Sequence, residues 1–192
     1  MTRLARIAGL LGLAALALGC VGLAVWLAPP VAGGPTTLQA TIDDVARDWP
    51  RIGHVAPAEV ERRIAEGKAV VFDVRTPQEY AVSRLPGAIH VDPDMGSADF
   101  LDRYGDAVKG KTAVFYCAVG VRSSRLATRV ATELEARGAV AVDDMAGGIF
   151  AWHGAARPLV DAKGPTQSVH PYDASWGRLL TRPELAREAP RG

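Results

Sequence analysis

Cysteine is scarce in this sequence, and neither sign of charge is in excess. The 192 residues include two cysteines, Cys20 and Cys117, which are too few for a zinc site or a framework of disulfide bonds. The 22 basic and 21 acidic side chains leave a net charge of +1 and form no basic block. Nucleic acid is therefore not a predicted partner. The four histidines lack the spacing of metal ligands, so no metal site is predicted either.

Long apolar runs are absent except at the N-terminus. Residues 7–28 carry no charged and no strongly polar side chain, and about 20 such residues suffice for a helix to cross a bilayer. Arg3 and Arg6 precede the run, and the next charged residue is Asp43. Because positive charge is retained on the cytoplasmic side, we expect residues 1–6 in the cytoplasm, a transmembrane helix over 7–28, and the remainder as an extracytoplasmic (periplasmic) portion anchored to the cell membrane.

Two alternatives to the anchor start from the same run. A cleaved signal peptide would release a secreted protein, but residues 30–32 supply only half of the small-residue pattern at a cleavage site. A lipoprotein would need a better acylation motif than residues 17–20 provide. The length of the run favours the uncleaved anchor, within which Cys20 is a small apolar residue.

The remaining chain divides into a tether, a domain and an extension. Residues 29–52 are predicted to be a tether with a short capped helical turn at 41–46. Residues 53–160 alternate apolar runs of strand length with helical periodicity, which predicts an α/β domain on a parallel sheet. Residues 161–192 form a less periodic C-terminal extension, with disorder expected beyond Arg182. The main predicted strands are 69–74, 88–91, 112–116 and 139–142, and the main predicted helices are 57–65, 77–82, 97–104, 123–137 and one that begins at 147.

Cys117 occupies an unusual place in this pattern, at the end of a buried strand and before the longest helix. Ligands of parallel sheets bind outside the carboxyl ends of the strands. The small residues after Cys117 can turn their N–H groups inward, the helix N-terminus adds a positive dipole, and Arg122 adds a permanent charge. Each effect favours the thiolate over a thiol of pKa about 8.5. The sequence therefore predicts a reactive nucleophile rather than a buried apolar cysteine.

Three ordered segments around this loop resemble the signatures of rhodanese domains. They are residues 73–91, which begin Asp-Val-Arg-Thr-Pro, the cysteine loop 116–124, and residues 145–152, Met-Ala-Gly-Gly-Ile-Phe-Ala-Trp. The resemblance covers about 53–160 and implies a three-layer α/β fold with a central parallel sheet flanked by helices. Two departures are visible: Ser83-Arg84 stands where the family usually has Gly-His, and Ala118 stands where an arginine is frequent. The second removes one cation near the substrate and would alter the preferred donor.

The resemblance implies a sulfurtransferase of the thiosulfate:cyanide class. Cys117 would attack the sulfane sulfur of thiosulfate or a similar donor, expel sulfite, and pass the sulfur of the resulting persulfide to cyanide or a thiol. Neither a cofactor nor a metal is implied, and the partners are a small-molecule donor and acceptor. The loop residues implied to bind the substrate are Ala118, Val119, Gly120, Val121 and Arg122.

Two other functions remain as alternatives. Related domains in dual-specificity phosphatases carry five residues between the cysteine and the arginine, whereas four separate Cys117 from Arg122, which disfavours a phosphate cradle. A non-catalytic binding module is the second alternative, although the cysteine and the arginine are both present.

Several other residues are predicted to have supporting roles. Asp73 and Arg75 are expected to pair and hold strand ends, and Ser123 to cap its helix. Trp152, His170 and Trp176 are expected to pack rather than to bind.

Overall fold

The computed structural model describes residues 37–192, so the predicted membrane helix, on residues 7–28, lies outside the described residues. Within residues 37–192, no helix combines the length and apolar character needed to span a membrane. The strands are β1 Gly53–Val55, β2 Ala69–Asp73, β3 Ile89–His90, β4 Thr112–Tyr116, β5 Ala141–Met145, β6 Leu159–Asp161 and β7 Gly164–Thr166. The α-helices are α1 Leu38–Asp48, α2 Pro57–Ala65, α3 Pro77–Val82, α4 Ser97–Tyr104, α5 Val121–Ala136, α6 Gly148–Gly154 and α7 Ala174–Gly177.

Five strands form one parallel sheet in the order β1-β5-β4-β2-β3. β4 lies at its centre between β5 and β2, and all five of its residues are buried. A strand covered on both faces by helices reads as a continuous apolar run, as Thr112–Tyr116 does. The α/β class and the parallel sheet predicted from the sequence are confirmed. β6 and β7 form a separate antiparallel pair.

The core has two halves, one on each face of the sheet. Successive side chains of β4 alternate between them, with Val114 and Tyr116 in one half and Ala113 and Phe115 in the other. The first half packs under α2, α6 and the C-terminal extension, and the second under α4 and α5. Phe115 stacks on Phe72 with their ring centroids 5.0 Å apart. The predicted arrangement of a sheet between two helical layers is therefore present.

The start of one helix, α5, differs from the prediction. α5 begins at Val121 rather than Ser123, and its N-cap is Gly120 in the left-handed conformation at φ 110°. The Ser123 hydroxyl donates to the Gly120 carbonyl oxygen at 3.2 Å, so Ser123 lies inside the first turn and is not the cap. α4 has the predicted bounds, Ser97–Tyr104, and its N-cap is also a glycine, Gly96, without a side-chain hydrogen bond. A glycine N-cap makes no side-chain hydrogen bond, so the positions of Ser, Thr, Asp and Asn in the sequence do not reveal it.

The strand predicted at 139–142 lies further along the chain, as β5 Ala141–Met145. Val140 is 70% exposed and lies outside the strand, whereas Asp143 and Asp144 are buried within it. The two carboxylates interrupt the apolar pattern, which is why the sequence places this strand too early.

The segment before the domain is more ordered than a short turn in a tether. α1 spans Leu38–Asp48, and the Thr37 hydroxyl oxygen accepts a hydrogen bond from the Ala40 N–H at 3.0 Å. Thr41 and Val45 are buried. A Cβ atom placed on Gly120 would lie 3.4 Å from a Val45 methyl group, so α1 packs against the start of α5. The prediction of a tether is therefore wrong for residues 38–48.

The C-terminal extension is also ordered, and the prediction of disorder beyond Arg182 is wrong. Pro183–Leu185 form a short 3-10 helix, and the Arg187 N–H donates to the Val169 carbonyl oxygen at 3.0 Å. Leu179 and Leu180 are buried in the first half of the core. The low periodicity of this segment reflects short turns anchored by a few apolar side chains. The packing of these apolar side chains places the extension beside the cysteine loop.

Candidate active site

Cys117 lies directly after β4, in a loop that ends at the start of α5. It is 1% exposed, and its Sγ accepts a hydrogen bond from the Gly120 N–H at 3.3 Å. The left-handed Gly120 closes the turn, so that the sulfur faces the N-terminus of a helix of 16 residues. Free N–H groups and the helix dipole stabilise negative charge at such a position. The strand, the loop and the helix meet as the sequence predicted.

The carbonyl groups of the loop are held on its other side by α6. The Ile149 N–H donates to the Cys117 carbonyl oxygen at 2.9 Å, and the Phe150 N–H donates to that of Ala118 at 3.1 Å. This contact depends on Gly148, because a Cβ atom there would lie 2.4 Å from the Cys117 carbonyl oxygen. Gly148 is thus the position at which the backbone of α6 approaches the loop most closely. It fixes the loop in the conformation that presents the sulfur.

The electrostatic surroundings favour the Cys117 thiolate. Burial by itself raises the pKa of the thiol, but the charge of Arg122, the hydroxyl and N–H of Ser123 and the Gly120 N–H together lower it below the ordinary value. The net direction is the one expected of a nucleophilic cysteine near a helix N-terminus.

Arg122 is paired with a residue that the sequence analysis did not identify. Its two terminal nitrogens donate to the two carboxylate oxygens of Glu79, each at 2.8 Å. Glu79 also accepts from the Thr76 N–H, and the Thr76 hydroxyl in turn accepts from the Glu79 N–H, which completes a capping box at the start of α3. Burial raises the pKa of Glu79, but the hydrogen bonds and charge of Arg122 outweigh it and lower the pKa overall. The Thr-Pro-Gln-Glu sequence signals the box, but not the partner of Arg122.

A cavity of about 90 Å³ opens above the sulfur, and part of its wall comes from the C-terminal extension. Tyr172 and Trp176 line it together with the loop, and the guanidinium carbon of Arg122 lies 4.6 Å from the centroid of the Tyr172 ring. The prediction that Trp176 only packs is therefore incomplete. Two larger cavities, of about 570 and 540 Å³, lie elsewhere and are lined by no cysteine. The candidate active site is therefore the smallest of these three cavities, the one beside Cys117.

Asp73, Arg75 and Tyr116 form a buried polar network near the carboxyl ends of β2 and β4. Arg75 Nε and Nη2 donate to the Asp73 carboxylate at 2.8 and 2.6 Å, and the Tyr116 hydroxyl donates to it at 2.6 Å. A further bond runs from Arg75 Nη2 to the Ser83 carbonyl oxygen at 2.5 Å. The predicted pair between Asp73 and Arg75 is formed. Through the bond from Arg75 to the Ser83 carbonyl oxygen, it connects the end of β2 to the end of α3.

Asp144 is a second residue near the loop that the sequence analysis missed. It is fully buried, and neither of its carboxylate oxygens has a hydrogen-bond partner. A Cβ atom on Gly120 would lie 2.9 Å from its Oδ2, so the carboxyl group lies directly against the turn that presents Cys117. Burial, followed by the charge of Cys117, raises the pKa of Asp144 well above its ordinary value, against the opposing effect of the nearby Ser123 and Ser124 hydroxyls. A neutral carboxyl group is the form that this position favours.

The described residues offer little for a metal. Across residues 37–192, no three or more His, Cys, Asp or Glu side chains are grouped as metal ligands.

Comparison with known families identifies the domain. The model of the rhodanese-like domain family matches residues 56–155, just over half of the chain, and the chain therefore belongs to this family. The matched range contains Cys117, Arg122, Glu79 and Asp144, but not Tyr172 or Trp176.

Several solved structures are similar to this chain at low identity. A thiosulfate sulfurtransferase from Pseudomonas aeruginosa is 20% identical, with 76% of this chain and 26% of that chain covered and a TM-score of 0.48. A rhodanese-like domain protein from Staphylococcus aureus is 27% identical, with 53% and 91% covered and a TM-score of 0.42. A protein of unknown function from Rhodopseudomonas palustris, described as a possible tyrosine phosphatase, is 25% identical, with 66% and 99% covered and a TM-score of 0.44.

Proposed function

We propose that this protein is a sulfurtransferase that carries a sulfane sulfur on Cys117 as a persulfide. The observation that supports it best is the position of the Cys117 sulfur, which accepts the Gly120 N–H at the N-terminus of α5 and has a lowered pKa. A thiolate held in this way is both a nucleophile and a leaving group, which a two-step transfer requires.

In the first step, the Cys117 thiolate attacks the outer sulfur of a donor such as thiosulfate. A bond forms between Sγ and that sulfur, the sulfur–sulfur bond of the donor breaks, and its electron pair leaves with sulfite. In the second step, cyanide or a thiolate attacks the outer sulfur of the persulfide and regenerates the Cys117 thiolate. The Gly120 N–H and the N-terminus of α5 stabilise the anionic sulfur in both states.

A phosphatase is the weaker alternative. The four residues between Cys117 and Arg122 make a short loop, and the cavity of about 90 Å³ is lined largely by apolar side chains, neither of which suits a phosphate dianion. A binding module without activity is the other alternative, and the experiment below distinguishes all three.

The test is a mass measurement on the full-length protein, purified in detergent. Incubation with thiosulfate should add one sulfur atom to the peptide that contains Cys117, and cyanide should remove it as thiocyanate. Cys117→Ser should acquire no sulfur, whereas the matched variant Cys20→Ser should behave as wild type. Hydrolysis of an aryl phosphate without sulfur uptake would replace the proposal with a phosphatase. A folded protein that hydrolyses no aryl phosphate and takes up no sulfur, from thiosulfate or from an organic thiosulfonate, would replace it with a binding module.

We also propose that residues 7–28 anchor the protein in the cell membrane with the domain on the extracytoplasmic side. The apolar run and the two preceding arginines support this orientation. A reporter fused after Gly192 should be active only outside the cytoplasm. A mature N-terminus near Ala32 would show instead that the segment is cleaved and the protein secreted, and a reporter active in the cytoplasm would contradict both.

A further inference from the structure

The C-terminal extension supplies an aromatic wall to the Cys117 cavity. Tyr172 and Trp176, the aromatic wall from here on, lie outside the residues matched by the family model. Trp176 is held in α7, whose N–H groups at Ser175 and Trp176 donate to the Asp173 carboxylate at 2.7 and 2.8 Å. It also packs against the first half of the core. The wall is thus built into the fold and is not a chance contact of a loose tail.

The cavity offers little uncompensated positive charge. Its lining contains one cation, Arg122, and both terminal nitrogens of that residue are already bound to Glu79. The other lining side chains are small, apolar or aromatic, and the loop has Ala118 next to Cys117. A doubly charged donor entering this space would lose its hydration and meet the Glu79 carboxylate behind Arg122. A singly charged donor with an apolar body would lose less hydration free energy, and it would gain contact with two aromatic rings.

We infer that Tyr172 and Trp176 are specificity-determining residues that select organic sulfane-sulfur donors, in which an apolar group carries the transferable sulfur and the net charge is at most one negative. This inference rests on the proposed function and names its substrate class. The volume of about 90 Å³, roughly that of three water molecules, holds the reacting sulfur and the first atoms of its carrier. The rest of the carrier lies against the aromatic wall.

The chemistry balances for an aryl thiosulfonate, which we use as the probe. The Cys117 thiolate attacks the terminal sulfur of benzenethiosulfonate, and a bond forms between Sγ and that sulfur. The sulfur–sulfur bond of the probe breaks, and its electron pair leaves with benzenesulfinate. No proton, oxidant or reductant is needed. Cyanide then removes the sulfur as thiocyanate, which gives a common readout for every donor.

The experiment compares three donors on the full-length protein: benzenethiosulfonate, methanethiosulfonate and thiosulfate. The first two share the reacting group and the single charge and differ in the carrier, whereas thiosulfate carries a second charge. Because the donors differ in intrinsic reactivity, the deciding quantity is the change that a substitution causes in the ratio of kcat/KM between two donors. The kcat/KM for benzenethiosulfonate divided by that for methanethiosulfonate is called the benzene-to-methane ratio. Tyr172→Ala should lower the benzene-to-methane ratio by about tenfold, mainly through KM, because an aromatic contact is lost. Tyr172→Phe, which retains the ring, should restore most of that ratio.

Two further variants keep the result interpretable. Trp176→Leu should also lower the benzene-to-methane ratio, and its thermal unfolding shows whether the fold is intact. Arg178→Ala, an exposed residue of the same segment that does not line the cavity, should leave the ratio as in wild type. A ratio that is the same in wild type, Tyr172→Ala and Trp176→Leu, with sulfur still loaded on Cys117, would overturn this inference alone. Absence of sulfur on Cys117 with all three donors would overturn the proposed function as well.

Discussion

Arg122 and Glu79 form a bidentate ion pair that joins the first turn of α5 to α3. Both carboxylate oxygens of Glu79 accept from Arg122 at 2.8 Å. The Glu79 side chain is 2% exposed and the Arg122 side chain 22% exposed. The cation nearest to the candidate nucleophile is thus partly neutralised before any donor binds. The pair also links the segment of the first signature to the cysteine loop.

We expect Arg122→Ala to destabilise the protein by about 3 kcal/mol, since it leaves Glu79 charged and buried without its partner. Glu79→Gln should lower the free energy of unfolding by less, because the unpaired Arg122 remains partly in contact with water. Unfolding by guanidinium chloride measures both. If Arg122→Ala in a Glu79→Gln background costs as much as it does alone, the two residues are not coupled, and the ion pair contributes nothing.

The alkylation of Cys117 by iodoacetamide should have its midpoint below the pH expected of an ordinary thiol. Burial raises the pKa of Cys117, but Arg122, Ser123 and the Gly120 N–H together lower it by more. The net shift of the pKa is downward, so the thiolate forms at lower pH. In a Cys20→Ser background, Glu79→Gln should move the midpoint to still lower pH, since it removes a nearby negative charge, and Arg122→Ala should move it up. Opposite shifts would show that another group controls the thiol.

Asp144→Asn should stabilise the protein at neutral pH, with a gain that increases with pH. The pKa of Asp144 is raised in the folded state, so the folded protein binds the proton more tightly than the unfolded chain, where an aspartate has a pKa of about 3.9. The stability of the wild type therefore falls from about pH 4 up to the folded pKa. We expect a difference on the order of 1–3 kcal/mol at the upper end of that window.

The measurement is the free energy of unfolding of both proteins from acid to alkaline pH. Below the unfolded pKa the two should differ little. In a Cys117→Ser background the pH-dependent part should shrink, because the Cys117 charge contributes to the raised pKa. Parallel curves across the whole range would show that Asp144 is ionised in the folded protein.

Gly148→Ala should displace the cysteine loop, and Gly110→Ala is its matched control. Both glycines have positive φ, at 53° and 72°, so both substitutions strain the backbone by roughly 1 kcal/mol. Only at Gly148 does the new Cβ meet backbone, 2.4 Å from the Cys117 carbonyl oxygen, whereas at Gly110 nothing lies within 4 Å. We expect Gly148→Ala to abolish sulfur uptake and Gly110→Ala to retain it. Normal uptake by Gly148→Ala would show that the α6 contact does not position the sulfur.

Asp73→Asn should be more destabilising than Tyr116→Phe, although both remove contacts from one buried network. Loss of the carboxylate leaves Arg75 fully buried without its counter-ion, at a cost of about 3–5 kcal/mol. Tyr116→Phe removes the hydrogen bond to the charged Asp73, at about 1.5–3 kcal/mol, and also the longer bond that the Tyr116 hydroxyl accepts from the Leu85 N–H at 3.2 Å. Thermal and denaturant unfolding check the order. Equal effects would indicate that water reaches Arg75 in the variant.

The central strand β4, the helix α5 and the loop between them could be predicted from the sequence alone. Thr112–Tyr116, Cys117 and the start of α5 are contiguous, and the physical requirements of a buried strand, a tight turn and an amphipathic helix are local enough to be visible in neighbouring residues. The pairing of Asp73 with Arg75 was also predictable, because the two residues lie only two positions apart along the chain.

The residues that surround the Cys117 sulfur could not be predicted in the same way, because they come from distant parts of the chain. Glu79 lies 43 positions from Arg122, Asp144 is a polar residue hidden in a strand, and Tyr172 and Trp176 belong to a segment without periodicity. Which of many carboxylates and aromatic rings meets the loop depends on how α3, β5 and the C-terminal extension pack around β4. Packing of that kind is set by shape and by the burial of distant apolar residues, and it leaves no spacing rule in the sequence.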